Sequence, residues 1–170
     1  MFCEEVIFMI EIYTIKSYED YIEMLDLFSE VFSDPTSYSE NRPSRDYFQN
    51  LLLDKNFIAL VAKNNSGKVI GALAGYVLHK FEQERSEIFI YDLGVLEQFR
   101  RQKIASNLIE KLKIIGKELG AYVIFVQADK DIEDEPAIAL YKKLGTQEDV
   151  FHFDIDVNKA VIINPSTISL

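Results

Sequence analysis

Between Ser86 and Gly120 the apolar period of the chain switches from that of a strand to that of a helix, and the switch falls on a basic turn. Ser86 to Val95 alternates Glu87, Phe89 and Tyr91 against Ile88, Ile90 and Asp92, as in a strand whose two faces meet different surroundings. Arg100-Arg101-Gln102-Lys103-Ile104-Ala105 comes next, and then Ile104, Leu108, Leu112 and Ile115 recur on one helical face, with Gly120 as the stop. A helix that starts straight out of such a turn leaves its first backbone N–H groups without partners, and its dipole adds partial positive charge. With two guanidinium groups beside it, the turn is suited to bind a phosphate-like anion. Adjacent arginines before a helix also suit a solvated surface, so the spacing alone leaves both readings open.

The rest of the chain places this unit within a larger order. Ile7 to Tyr13 is β-branched and aromatic and reads as a first strand, and Tyr18, Tyr21, Ile22, Leu25 and Phe28 then recur at helical spacing, giving a helix over about 18–32. Ser33 to Pro43 has no periodicity and reads as a loop that could wall a substrate site, after which Ser44 can cap a helix carrying Tyr47, Phe48, Leu51 and Leu52. Phe57–Lys63 and Val69–Lys80 form a hairpin about Asn64-Asn65-Ser66-Gly67. Tyr122 to Ala128 reads as a short strand, and Asp129 to Glu135 as an acidic loop. Pro136 opens a helix with Ile138, Leu140, Tyr141 and Leu144, and Phe151 to Ile155 reads as a last strand. The order β-α-α-β-β-β-α-β-α-β predicts a mixed sheet flanked by helices. With no repeat and no Pro/Gly linker in 170 residues, one domain over 1–170 is expected, with 1–8 an N-terminal extension and 158–170 a loose tail.

Composition excludes several classes. Asp and Glu number 28 against 18 Lys and Arg, a net charge of −10, which argues against nucleic acid and against an anionic membrane surface. It fits a cationic substrate, although solubility alone also accounts for it. Cys3 is the lone cysteine, so no disulfide framework is expected and a reducing cytoplasm fits. His79 and His152 lie far apart and outside any HExxH pattern, and no metal is expected. Met1 to Tyr13 contains Glu4, Glu5 and Glu11 without a basic n-region, unlike a signal peptide, and no apolar run reaches the length of a membrane span.

The run QFRRQKIA resembles the Q/R-x-x-G-x-G/A pyrophosphate loop of the GNAT acetyltransferases. FIALVA, VIGALAGYVLHKFEQERSEIFIYDLGV, LGAYVIFVQAD, PAIALYKKLG and HFDID extend the likeness, over about 38–156, to the aminoglycoside 3-N-acetyltransferases of that superfamily. Lys103 stands where the family pattern has glycine. The resemblance implies an α/β (α+β) fold with a mixed, mostly antiparallel sheet of six to seven strands and about four helices, splayed where coenzyme A enters. It implies acetyl-CoA as cosubstrate, direct transfer to the 3-amine of an aminoglycoside antibiotic, antibiotic resistance, and a homodimer involving the last strand and tail.

It also implies roles for particular residues. Asp92 is the candidate general base and Glu87 the second, on the opposite face of the strand by simple alternation unless a bulge changes the phase. Backbone N–H groups of Leu93 or Val95 would meet the developing oxyanion. Arg100, Arg101, Gln102, Lys103, Ile104 and Ala105 would hold the diphosphate, and Tyr141 would protonate the leaving thiolate. Asp129, Asp131, Glu133, Asp134 and Asp154 offer carboxylates to a polycation, with Asp156, Tyr38 and Tyr91 as further lining. Each has a plainer alternative: Asp92 ends a strand, Tyr141 is core, and the acidic loop is solvated and caps a helix. At the level of function, the alternatives are an acetyltransferase of another amine, such as a polyamine or a protein N-terminus, and a binding module without catalysis.

Overall fold

The computed structural model describes residues 10–129 and 134–158. The chain groups into two compact units, Met1–Lys130 and Asp131–Leu170. The first contains a five-stranded sheet in sequential order: β1 (Glu11–Thr14), β2 (Phe57–Lys63), β3 (Val69–His79), β4 (Ser86–Val95) and β5 (Ala121–Val126). The first four strands pair antiparallel and β5 joins β4 in parallel.

Helix α1 (Tyr18–Val31) starts where Ser17 accepts a hydrogen bond from the Asp20 amide at 3.0 Å, and α2 (Arg45–Leu53) starts where Ser44 does the same for Tyr47 at 3.2 Å. Apolar faces of α1 and α2 cover one side of the sheet, with Tyr21, Met24, Leu27, Phe28 and Phe48 buried against Ala59, Val61, Ala72 and Ala74. Helix α3 (Ile104–Glu118) covers the other side with Ile104, Leu108, Ile109 and Leu112 buried, and Gly116 lets Ile88 approach closely. Burying these apolar faces is the main stabilising term of the unit.

The segment between α1 and α2, expected as an irregular loop, contains a π-helical turn, Thr36–Glu40. The alternation of Phe151, Phe153 and Ile155 predicts a strand, but no strand forms there. The three side chains are 78–89% exposed and no ladder pairs their backbone. Alternation supplies a face for burial, but a strand also needs a partner for its N–H and C=O groups, and the described residues provide none. Among the described residues the sheet therefore has five strands, where six to seven were expected. In the second unit, α4 (Glu135–Leu144) has Pro136 in its first turn, and Asp134 stands at its start without a side-chain capping bond. Among the described residues no helix is long and apolar enough to cross a membrane, and no cluster of His, Cys, Asp or Glu could hold a metal ion.

Candidate active site

β4 outruns its parallel neighbour. Pairing with β5 stops at Ile90↔Val126, while pairing with β3 continues to Val95↔Gly71, so among the described residues no strand pairs the other edge of 91–95. Which groups face that gap follows from the ladder. The Leu96 amide donates to the Ile70 carbonyl at 3.1 Å, toward β3. Strand alternation then turns the amides of Gly94 and Asp92 toward β3 and those of Val95 and Leu93 away from it, into the gap. Arg100 Nε, on the same side, donates to the Val95 carbonyl at 3.2 Å.

A bulge re-aims the strand at this point. Ala74 pairs with Asp92 but Gly75 pairs with Ile90, leaving Tyr91 as the extra residue. Before the bulge Ile88 faces α3, touching the space beside Gly116. After it Gly94 faces α1, where an added Cβ would lie 3.2–3.3 Å from Leu27, Phe28 and Val31. The bulge thus puts Glu87, Phe89, Asp92 and Gly94 on one face. Simple alternation, which separates Glu87 from Asp92, fails for that reason.

The two carboxylates on this face differ in surroundings. Asp92 is partly buried, and Tyr38 Oη donates to its Oδ1 at 3.1 Å. Burial raises its pKa above the ordinary carboxylate value, and the bond from Tyr38 offsets that only in part. Glu87 accepts from the Tyr122 hydroxyl and pairs with Lys80 at 3.3 Å, while Arg85 lies 4.0 Å over the Tyr122 ring. The Tyr122 bond first, and Lys80 and Arg85 after it, hold the Glu87 pKa below its ordinary value. The two shifts run in opposite directions: burial favours the protonated form of Asp92, and the partners of Glu87 favour its charged form. Between them lies an aromatic floor, missed by the sequence reading except for Tyr91: Phe89 stacks on Phe125 at 5.0 Å, and Tyr91, 62% exposed, meets Phe89 and Tyr76 edge-on at 5.8 Å each.

The basic turn builds the start of α3. A 3₁₀ turn over Glu97–Phe99 returns the chain, and Arg101 and Lys103 then adopt left-handed backbone, φ 65° and 64°. Lys103 precedes Ile104 without a side-chain cap, and the first helical bond runs from the Asn107 amide to the Lys103 carbonyl at 2.9 Å. The amides of Ile104, Ala105 and Ser106 therefore precede the helical ladder. A Cβ on Gly71 would come within 2.6 Å of Ile104, so the helix start sits directly on β3. Left-handed backbone at Lys103 is the conformation glycine adopts at no cost, so the lysine keeps the turn's shape under some strain. Amides left out of the ladder, the helix dipole and flanking Arg100, Arg101 and Gln102 fit a diphosphate.

In the second unit, burial first and the charge of Asp134 second push the Tyr141 hydroxyl up to about 12. Asp154 is exposed and pairs with His152 at 3.2 Å. Asp129 is exposed at the end of the first unit, and Asp131 and Glu133 lie outside the described residues. Two surface depressions, one lined by His79, Lys80, Arg85 and Leu119 and one by Glu23, Asp26, Lys68 and Leu96, include neither Asp92 nor the turn before α3.

A strand that outruns its parallel neighbour and carries a partly buried carboxylate is thus followed by a basic turn whose helix start suits an anion. The profile of the Acetyltransferase (GNAT) family matches residues 22–146, and the chain belongs to that family. Among solved structures it is similar to an aminoglycoside acetyltransferase, HMB0005, from an uncultured soil metagenomic sample. The two are 51% identical with a TM-score of 0.86 over 88% of this chain and 99% of that one. A second, meta-AAC0020, also an aminoglycoside acetyltransferase from an uncultured soil metagenomic sample, was solved in complex with sisomicin. It is 29% identical with a TM-score of 0.78 over 88% of this chain and 97% of that one. A ribosomal-protein-alanine N-acetyltransferase from Brucella melitensis, 21% identical with a TM-score of 0.66 over 86% of this chain and 98% of that one, shares the fold. A comparison with curated proteins gives no match.

Proposed function

We propose that this acetyltransferase moves an acetyl group from acetyl-coenzyme A directly onto an amine of an aminoglycoside, the 3-amine, and so confers resistance to that antibiotic. The observation that carries the reading is Asp92: a carboxylate made more basic by burial, placed where β4 loses its β5 partner. Acetyl-coenzyme A supplies the acetyl group as a thioester. Ile104 and Ala105 amides with Arg100, Arg101, Gln102 and Lys103 would hold its diphosphate.

The residues of the chain then divide the work. Asp92 accepts the proton of the attacking ammonium, directly or through one water. The amides of Leu93 and Val95, aimed away from β3, donate to the acyl oxygen as charge grows on it. One such donor is worth about 2.7–4 kcal/mol of barrier in comparable sites. Tyr141, assigned through the family resemblance, gives a proton to the departing thiolate, and its raised pKa keeps it protonated until then. Glu87, Asp129, Asp131, Glu133, Asp134 and Asp154 are proposed partners for the substrate's other ammonium groups, and the floor of Tyr76, Phe89 and Tyr91 for its sugar rings.

The likeness to two aminoglycoside acetyltransferases over nearly their whole lengths supports this acceptor class over other amines. Purified protein incubated with acetyl-coenzyme A and sisomicin should yield a product heavier by one acetyl group, with the amide at the 3-amine by NMR. A rate equal to the enzyme-free control would remove the aminoglycoside from the reading, and acetylation of spermidine in the same assay would move it to polyamines.

A further inference from the structure

We propose that Tyr38 is a positioning residue for the transfer reaction: its hydroxyl, 3.1 Å from Asp92 Oδ1, fixes the carboxylate's rotamer and leaves Oδ2 to receive the amine's proton. The inference rests on the reading of Asp92 as proton acceptor and adds a residue that acts through it.

Tyr38 is itself held in place. It sits in the π-helical turn Thr36–Glu40, an element that is uncommon and tends to occur at functional sites. The turn is pinned at several points: the Ser37 amide donates to Asp34 Oδ1 at 3.0 Å, Thr36 bonds Glu40 at 3.1 Å, and Ser39 meets Ser29 of α1 at 3.1 Å. Above the turn the Tyr38 ring leans on Phe28 and Phe32, each 5.7 Å away between centroids. The aromatic contacts fix the ring plane, which fixes where the hydroxyl points. Side-chain torsion is thereby removed from both partners before any substrate arrives, which is how positioning residues lower a barrier.

The chemistry of the pair is one-sided. Among the described residues, Tyr38 is the sole hydrogen-bond partner of the Asp92 carboxylate, and no lysine, arginine or histidine acts on it. The other titratable groups facing this pair are Tyr91 from β4 and Tyr76 from β3, while Asp34 acts on Tyr38 from the start of the turn. From α1, Leu27, Phe28 and Val31 close over the neighbouring Gly94 and contribute no charge. Burial and the facing carboxylate hold the Tyr38 hydroxyl well above its ordinary pKa, so it stays a donor over the working pH range. A donor that never yields its proton tempers the basicity of Asp92 without competing as a base.

The test is Tyr38→Phe, which keeps the ring and its contacts with Phe28 and Phe32 and removes only the donor. Two readouts are needed. In protein labelled with ¹³C at aspartate carboxyls, the Asp92 resonance, assigned by its loss in Asp92→Asn, should titrate about one pH unit higher in Tyr38→Phe than in the parent. This measurement needs no acceptor. In the sisomicin assay the acid limb of kcat/KM should move upward by the same amount and kcat should fall about tenfold, with the Kd for acetyl-coenzyme A unchanged. In the Asp92→Asn background, Tyr38→Phe should cost nothing further.

A titration of Asp92 that does not move would overturn the inference, as would one that moves while the acid limb stays in place. A fall in kcat matched by a lower thermal unfolding temperature, with both pH midpoints unchanged, would assign Tyr38 a purely structural role and also overturn it. Absence of sisomicin turnover by the parent protein would instead remove the proposed acceptor, and the carboxyl titration would then decide the coupling of Tyr38 to Asp92 alone.

Discussion

Asp92 meets opposing demands. Burial makes it a better base, and the same burial penalises its charge in the folded chain. Its folded pKa is raised, so below the ordinary value of 3.8 both folded and unfolded chains hold the proton and no penalty exists. As pH rises through the higher folded value, the folded carboxyl ionises at a cost, and stability present in acid is lost. Asp92→Asn can keep the acceptor for Tyr38 while removing the charge. Its unfolding temperature at neutral pH should therefore equal or exceed that of the parent, with the difference closing below about pH 4, while turnover falls by about a hundredfold to ten-thousandfold. Thermal melts across pH and steady-state kinetics check the two halves, and a variant less stable at neutral pH would show that the carboxylate's contacts outweigh its desolvation. Glu87, which shares the face, is held by Tyr122 and Lys80 and has the opposite shift. Residue type and strand position thus do not set the direction of the shift; burial and partners do.

At the scale of elements, the turn before α3 is where local preference and tertiary demand conflict. Lys103 takes φ 64° and ψ 13° with no cap, a conformation that costs a side-chain-bearing residue roughly 1–2 kcal/mol. Ile104, seated on Gly71, and the 3₁₀ turn over Glu97–Phe99 leave the chain little choice. Lys103→Gly should relieve this and raise stability by roughly 0.5–1 kcal/mol after the added flexibility of the unfolded chain is counted. Denaturant melts measure it, and an unchanged or lower midpoint would mean that the lysine side chain has contacts that compensate. The helix start at Ser44, the helix from about Tyr18, the hairpin and the strand over Ser86–Val95 were all legible, because a capping residue and apolar periodicity are local signals. The bulge at Tyr91 and the π-helical turn were not, since both depend on how β3 and α1 press on the segment rather than on its composition.

For the whole molecule the relevant quantity is charge. A net charge of −10 on 170 residues gives an attractive field for a polycation that reaches a screening length beyond the surface. Raising ionic strength from about 0.1 M to about 1 M shortens that length from about 10 Å to about 3 Å. KM for sisomicin should then rise several-fold while kcat changes little, because encounter and binding are screened and the buried proton transfer is not. A KM indifferent to salt would mean that the acidity serves solubility alone. Steady-state kinetics at fixed pH separate the outcomes.

Local period and capping determined which segments are helix or strand, and the motif FRRQKIA with its long family-like flanks determined the class of chemistry, because these are properties of neighbours in the chain. Only the tertiary structure decided that β4 continues past the end of β5, that Asp92 turns toward Tyr38 fifty-four residues away in sequence, and that Phe151–Ile155 pairs with no strand among the described residues. Each of these depends on where a strand finds its hydrogen-bonding partner, a condition set between distant segments that no single stretch of sequence contains.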